Sequence, residues 1–126
     1  MQIFNIKERD NPMTDFFNKI TEYGFDKKEV MQRFLDDEQF YYECFEQVIK
    51  DEAFDQLGKL IEQNKTKEAF DCAHSLKGIL ANVGLIALYD KISDIVEILR
   101  GTKDGNVEED YRAFLKLRDE CMKLLQ

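Results

Sequence analysis

The sequence predicts an all-α protein whose long helices form an antiparallel, up-and-down four-helix bundle with short additional N-terminal helices. Apolar residues recur every three or four positions along most of the chain, which is the spacing of amphipathic helices. The single proline, Pro12, leaves almost the whole chain free to be helical. Short polar links separate four long apolar stripes, and a bundle is the arrangement that buries four such stripes together.

Length and charge restrict the number of domains and the kind of partner. The 126 residues suffice for one domain, which we place at residues 13–126 after an N-terminal arm at residues 1–12. A net charge of -8 argues against a nucleic-acid surface, because phosphate backbones are bound by clustered Lys and Arg. No signal peptide is evident, and no apolar run approaches the roughly 20 residues of a membrane span. We therefore expect a cytoplasmic monomer that binds neither nucleic acid nor membranes.

The sequence offers no recognisable metal or nucleotide site. Cys44, Cys72 and Cys121 form no CxxC pair, and the single histidine cannot complete a familiar zinc set. We expect all three cysteines to be buried as small hydrophobic residues. No glycine-rich phosphate loop follows a strand pattern, and no GxSxG motif is present.

Capping and turn residues divide the chain into six predicted helices, at residues 15–23, 27–35, 38–63, 67–83, 85–100 and 107–125. The predicted N-caps are Thr14, Asp26 and Thr66, and the predicted C-terminal glycines are Gly24, Gly84 and Gly101. In the third helix the apolar spacing slips at residues 50–52, where we expect a kink.

The fourth predicted helix carries His74, the only histidine of the chain. Its apolar seam consists of Ala69, Ala73, Leu76, Leu80 and Val83. At about 100° per residue, His74 lies nearly opposite this seam and should face solvent. Its face is shared by Lys67, Phe70, Asp71, Lys77, Gly78 and Ala81. Glycine inside a helix costs roughly 1 kcal/mol relative to alanine, so Gly78 indicates that this face has a function.

The residues around His74 suit chemistry at an exposed imidazole that a partner protein can approach. An exposed imidazole has a large neutral fraction near neutral pH, so one ring nitrogen can act as a nucleophile or a base. Lys77, one turn away, would place a positive charge beside an added phosphoryl group. The small residues Gly78 and Ala81 would let a partner bring its reacting atoms close.

The run AHSLKGILANVG at residues 73–84 resembles the signature of histidine phosphotransfer (HPt) domains. In that signature a helical histidine is followed by lysine three, glycine four and a second glycine ten positions later, and the similarity extends over the helices and turns of residues 23–100. The resemblance implies a bundle that accepts a phosphoryl group from the aspartate of a response-regulator receiver domain and passes it to another receiver. By position, it implies that His74 is the phosphoacceptor, that Lys77 stabilises the phosphoryl group, and that Gly78 and Gly84 are the motif glycines.

The resemblance also implies a carrier that is not an enzyme and has no cofactor of its own, with Mg²⁺ only in the partner receiver domain. That receiver could belong to a hybrid histidine kinase. We predict that Lys67, Phe70, Asp71 and Ala81 bind it. For Phe70 two interpretations stay open, since the ring could tuck into the core or give the partner an apolar docking point.

One departure from the family pattern concerns the orientation of the imidazole. Some HPt domains use a glutamine on the neighbouring helix for this purpose, and Val96 stands at that position here. The orienting hydrogen bond must come from elsewhere, with Tyr89 and Ser93 as candidates, or be missing. Val96 therefore supports a second hypothesis, a degenerate HPt-like module that docks receiver domains without phosphotransfer. A hydrolase with His74 as general base is disfavoured, because no second catalytic group is identifiable.

Overall fold

The structure, a computed structural model, describes residues 12–125. Its helices are α1 (Pro12–Ile20), α2 (Lys27–Val30), α3 (Glu38–Ile49), α4 (Ala53–Glu62), α5 (Thr66–Val83), α6 (Ile86–Arg100) and α7 (Val107–Met122). Short 3₁₀ turns extend α1 to Tyr23 and α2 to Phe34. No strand occurs within the described residues, so the predicted all-α fold is confirmed. The predicted arm at residues 1–12, apart from Pro12, and the last residue, Gln126, lie outside the described part of the chain.

Helix α5 packs most extensively against α6 and also contacts α4 and α3. Helix α7 contacts α6, α4 and α3 and so closes the bundle. The hydroxyl of the buried Tyr41, on α3, donates a hydrogen bond to the carbonyl of Val83 at 2.7 Å, which ties α3 to the last turn of α5. Burial raises the pKa of Tyr41 far above its ordinary value.

Several predicted caps and helix ends are present. The side chain of Asp26 accepts a hydrogen bond from the backbone N–H of Glu29, which caps α2 as predicted. Glycines at 24, 84 and 101 have positive φ angles of 86°, 73° and 88°, and each ends a helix as predicted. At Gly84 a Cβ atom would also clash with Cγ2 of Val30, so both the backbone conformation and the packing require glycine at this position.

Other predicted boundaries are wrong. The helix predicted at residues 38–63 is interrupted completely at residues 50–52, where only a kink was expected. Thr66 does not cap α5, because the helix begins at Thr66 itself and Lys65 takes the cap position without a side-chain hydrogen bond. Thr14 lies inside α1, since the helix already includes Pro12, and proline is well tolerated in the first turn of a helix. Helix α7 ends at Met122 and not at Leu125.

The cysteines are free thiols, and only Cys121 is buried as predicted. Cys44 and Cys72 are partly exposed, so the expectation of burial is wrong for these two. Among residues 12–125, no group of three or more histidine, cysteine or acidic side chains could hold a metal ion. Within the same range, no helix is long and apolar enough to cross a membrane.

Candidate functional site

Helix α5 presents His74 to solvent, as the apolar spacing predicts. The five residues of the predicted seam are at most 1% exposed, so this side of the helix faces the core. His74 lies on the opposite side and is exposed, together with Lys67, Asp71, Gly78 and Ala81. The helix therefore holds the histidine at a fixed place on an open surface.

The ring of Phe70 lies beside the imidazole of His74. Its ring centroid lies 5.8 Å from that of His74, with an angle of 30° between the two ring planes. The two residues are four positions apart on α5, so their side chains are neighbours on one helix face. Phe70 is partly buried against the core, which places it between the two positions that the sequence left open. The guanidinium carbon of Arg100, on α6, lies 5.0 Å from the centroid of the Phe70 ring.

The predicted replacements for the orienting glutamine do not contact the imidazole. Val96 is fully buried and has no polar side-chain atom to offer. The hydroxyl of Ser93 donates instead to the carbonyl of Tyr89, at 2.7 Å. Among the residues that the structure describes, no side chain forms a hydrogen bond with the ring of His74. The orienting hydrogen bond is therefore missing among the described side chains, which is one of the two outcomes that the sequence left open.

We call the exposed side of α5 that carries Lys67, Phe70, Asp71, His74, Lys77, Gly78 and Ala81 the histidine face. Lys77 is partly buried at the edge of this face that lies next to α6. Its ammonium nitrogen lies 5.8 Å from the centroid of the Tyr89 ring. The pKa of Glu97 is lowered, first by a hydrogen bond from the Thr102 hydroxyl and then by the positive charges of Arg100 and Lys77. Lys77 is thus a neighbour of both α6 and the exposed histidine one turn earlier, and its long side chain can reach a phosphoryl group there.

The two motif glycines occupy different environments. Gly78 is exposed, and a Cβ atom added there would meet nothing within 4 Å. Neither packing nor backbone conformation requires glycine at this position. Gly84 is buried and ends the helix, so its role in the structure is to shape the backbone and not to line the exposed face.

The remaining predicted partner-binding residues lie at both ends of the histidine face. Lys67 and Asp71 form an ion pair of 3.5 Å, with side chains 87% and 62% exposed, so the pair adds little to stability and both groups are accessible. Ala81 is exposed at the other end. Its carbonyl accepts a hydrogen bond from Arg33, which also donates to the carbonyl of Asn82.

Sequence reasoning missed Arg33 and Arg100 as neighbours of this face. Arg33 is 48 residues away from Ala81 along the chain, and no local pattern connects the two. Arg100 could have been found, because α5 and α6 are antiparallel neighbours with a short link. That arrangement brings the last turn of α6 beside the first half of α5, which includes Phe70.

Comparison with known proteins identifies the family. A family model described as the Hpt domain matches residues 42–126, which include the whole of α5 and its AHSLKGILANVG run. The match begins within α3, so residues 23–41 of the predicted resemblance lie outside it, and it continues through α7, beyond the predicted limit near Arg100. No curated protein and no solved structure matches the chain significantly. Because the matched region covers most of the sequence, the chain belongs to the Hpt domain family.

Proposed function

We propose that this protein is a phosphorelay carrier in which His74 accepts a phosphoryl group from a receiver-domain aspartate and passes it to another receiver. Membership of the Hpt family supports this proposal, because Hpt domains serve histidine phosphotransfer in two-component phosphorelays and interact with receiver domains. The observation that carries it is the single, solvent-exposed His74, with Lys77 one turn later and an open surface at Gly78.

The proposed phosphoryl transfer is a displacement at the phosphorus atom. The lone pair of a neutral ring nitrogen of His74 attacks the phosphorus atom of the receiver's aspartyl phosphate. A nitrogen–phosphorus bond forms while the bond from phosphorus to the carboxyl oxygen breaks, and the electron pair leaves with the aspartate carboxylate. The reverse displacement delivers the phosphoryl group to the second receiver. Lys77 can neutralise charge on the phosphoryl oxygens, and such transfers depend mainly on positioning and charge neutralisation.

The exposed face of α5 would form the receiver interface. Lys67, Phe70 and Asp71 precede His74, and Ala81 follows it, so the set extends about 21 Å along the helix at 1.5 Å per residue. That length suits a protein–protein contact of ordinary size. The missing side chain at Gly78 would let the receiver's active site approach the imidazole closely.

In this proposal the chain is a monomeric, cytoplasmic carrier with no kinase activity and no cofactor of its own. The Mg²⁺ ion that assists the transfer would be bound by the receiver's acidic site. The receiver itself could be a separate protein or part of a hybrid histidine kinase.

The proposal is tested with a panel of receiver domains from the same genome, each labelled with ³²P on its aspartate and incubated with the full chain. We expect at least one receiver to give a label on this protein that is stable in base and lost in acid, and no such label on His74→Gln. Label retained by His74→Gln would contradict the assignment. Receiver binding without label, equal in both proteins, would instead identify the docking module of the second hypothesis.

A further inference from the structure

We propose that Phe70 and Arg100 are positioning residues that orient the imidazole of His74. The ring of His74 has no hydrogen-bond partner among the described side chains, but the Phe70 ring lies 5.8 Å away and is itself covered by the Arg100 guanidinium at 5.0 Å. The kinetic consequence of this inference rests on the proposed function, whereas the contact between the rings does not.

An exposed histidine needs such a restraint because its outer side-chain torsion is broad. The torsion that turns the imidazole about its Cβ–Cγ bond has no narrow staggered wells, so solvent alone would leave the ring plane undefined. In-line attack requires the nitrogen lone pair to point at phosphorus. An apolar ring beside the imidazole restricts its plane without engaging either nitrogen. Phe70 thus leaves both nitrogens free, one for the attack and one to keep its proton.

The end of α6 holds Arg100 in the position that this role requires. Its Nε atom lies 3.4 Å from the carboxylate of Glu97, one turn earlier. Glu97 in turn accepts a hydrogen bond from the hydroxyl of Thr102, and the left-handed conformation of Gly101 turns the chain so that Thr102 can reach it. A planar guanidinium fixed in this way packs well on an aromatic face. Arg100 therefore restricts the position of the Phe70 ring, and the Phe70 ring restricts the orientation of the His74 imidazole.

The sequence offers matched controls for both residues. Phe40 is an exposed phenylalanine on α3 that contacts another ring, Phe34, and lies on a different helix from His74. Arg112 is an exposed arginine on α7. Phe40→Leu and Arg112→Gln thus repeat the same chemical changes away from His74, and Phe70→Tyr keeps the ring that Phe70→Leu removes.

The first test is an NMR measurement on the full, unphosphorylated chain. Because the protein has one histidine, its imidazole carbon and proton signals are assigned without ambiguity. We expect Phe70→Leu to move these signals towards free-histidine positions, Arg100→Gln to move them less in the same direction, and Phe70→Tyr and both controls to leave them in place. Imidazole signals unchanged in Phe70→Leu would overturn the inference.

The second test measures transfer from a phosphorylated receiver of the same panel over a range of receiver concentrations. We expect Phe70→Leu to lower the saturating rate about threefold to fivefold, the value of one ring contact, whether or not the half-saturating concentration also rises through a lost receiver contact. Phe70→Tyr should restore the rate. A raised half-saturating concentration at an unchanged saturating rate would show that Phe70 acts only as a docking contact, which would contradict positioning. If the wild-type chain accepts no label, the proposed function fails, and the NMR signals still decide whether these residues hold the ring.

Discussion

The two motif glycines of α5, Gly78 and Gly84, serve different purposes, and substitution by alanine should have opposite effects on stability at the two positions. Gly78 has open space where a Cβ would lie and sits inside a helix, so Gly78→Ala should raise the free energy of unfolding by about 0.5–1 kcal/mol. Gly84→Ala should lower it by more than about 1 kcal/mol, because φ is 73° and Val30 is in the way. Urea unfolding measures both values. A less stable Gly78→Ala protein would show that Gly78 serves the fold.

The same Gly78→Ala variant should accept phosphate more slowly, although it is more stable. The added methyl group would stand where the receiver's active site approaches His74, and small displacements of reacting groups cost much of the benefit of positioning. The initial rate of labelling by a phosphorylated receiver measures this effect. An unchanged rate would remove the functional explanation for glycine at this position.

Lys77 is expected to act through its charge. Lys77→Gln should slow transfer about tenfold, the value of one charge-assisted contact to the phosphoryl oxygens, and should change the free energy of unfolding little because the side chain is only partly buried. Lys116, exposed on α7, supplies the matched control Lys116→Gln. Equal initial rates for the two variants would exclude a phosphate-stabilising role for Lys77.

Single-residue geometry could be predicted from sequence only along one helix. The exposure of His74 and the burial of the opposite seam follow from the rotation of about 100° per residue along a long regular helix. The contact between Phe70 and Arg100 depends on how α5 and α6 are aligned side by side, which the periodicity of neither helix specifies. The hydrogen bond of Ser93 to Tyr89 shows the same limit, because a hydroxyl on a helix often bonds to the carbonyl four residues earlier.

At the scale of elements, the C-terminal end of the histidine helix is anchored from α3. Tyr41→Phe removes the buried hydrogen bond to the Val83 carbonyl and should lower the free energy of unfolding by about 1–2 kcal/mol. Transfer by the folded variant should stay at the wild-type rate, since Tyr41 lies beneath α5 and away from its exposed face. Urea unfolding and the labelling assay measure the two effects. Unchanged stability would mean that the hydroxyl contributes nothing to the anchor.

Helix ends were predictable where one residue type carries the local signal. Asp26 and the glycines at 24, 84 and 101 have a side chain or a backbone freedom that favours a helix end, and each is found there. Leu35 ends the 3₁₀ turn after α2 with a positive φ of 59°, and nothing in its side chain indicates this conformation. The start of α5 was misplaced because threonine suits both a cap and a first turn.

At the scale of the whole molecule, the four predicted stripes and short links were sufficient to predict a bundle, because four amphipathic helices have few other ways to bury their apolar faces. The interruption that separates α3 from α4 was recognised only as a slip in spacing. Whether a slip bends or breaks a helix depends on the contacts of both parts with the rest of the bundle, which local sequence does not contain.

Alkaline pH should destabilise the folded protein. Burial, together with a hydrogen bond to Glu120, raises the pKa of Tyr23 from 10.0 to about 12, and burial raises that of Cys121 from 9.0 to about 12. Above pH 9 the unfolded chain therefore releases protons that the folded protein keeps, and the free energy of unfolding should fall as the pH rises towards 12. Urea unfolding at pH 8 to 11 measures the fall, which should be shallower in Tyr23→Phe. A free energy of unfolding that stays constant from pH 8 to 11 would contradict the raised pKa values of Tyr23 and Cys121.

The relay role of His74 is tested most directly by a two-receiver experiment. A ³²P-labelled receiver is mixed with an unlabelled second receiver, with and without this protein, and the label on the second receiver is followed over time. We predict that the label reaches the second receiver only when the wild-type chain is present, after passing through a base-stable phosphohistidine, and that His74→Gln does not support the transfer. Equal transfer with His74→Gln would contradict the proposal that this protein carries phosphate on His74.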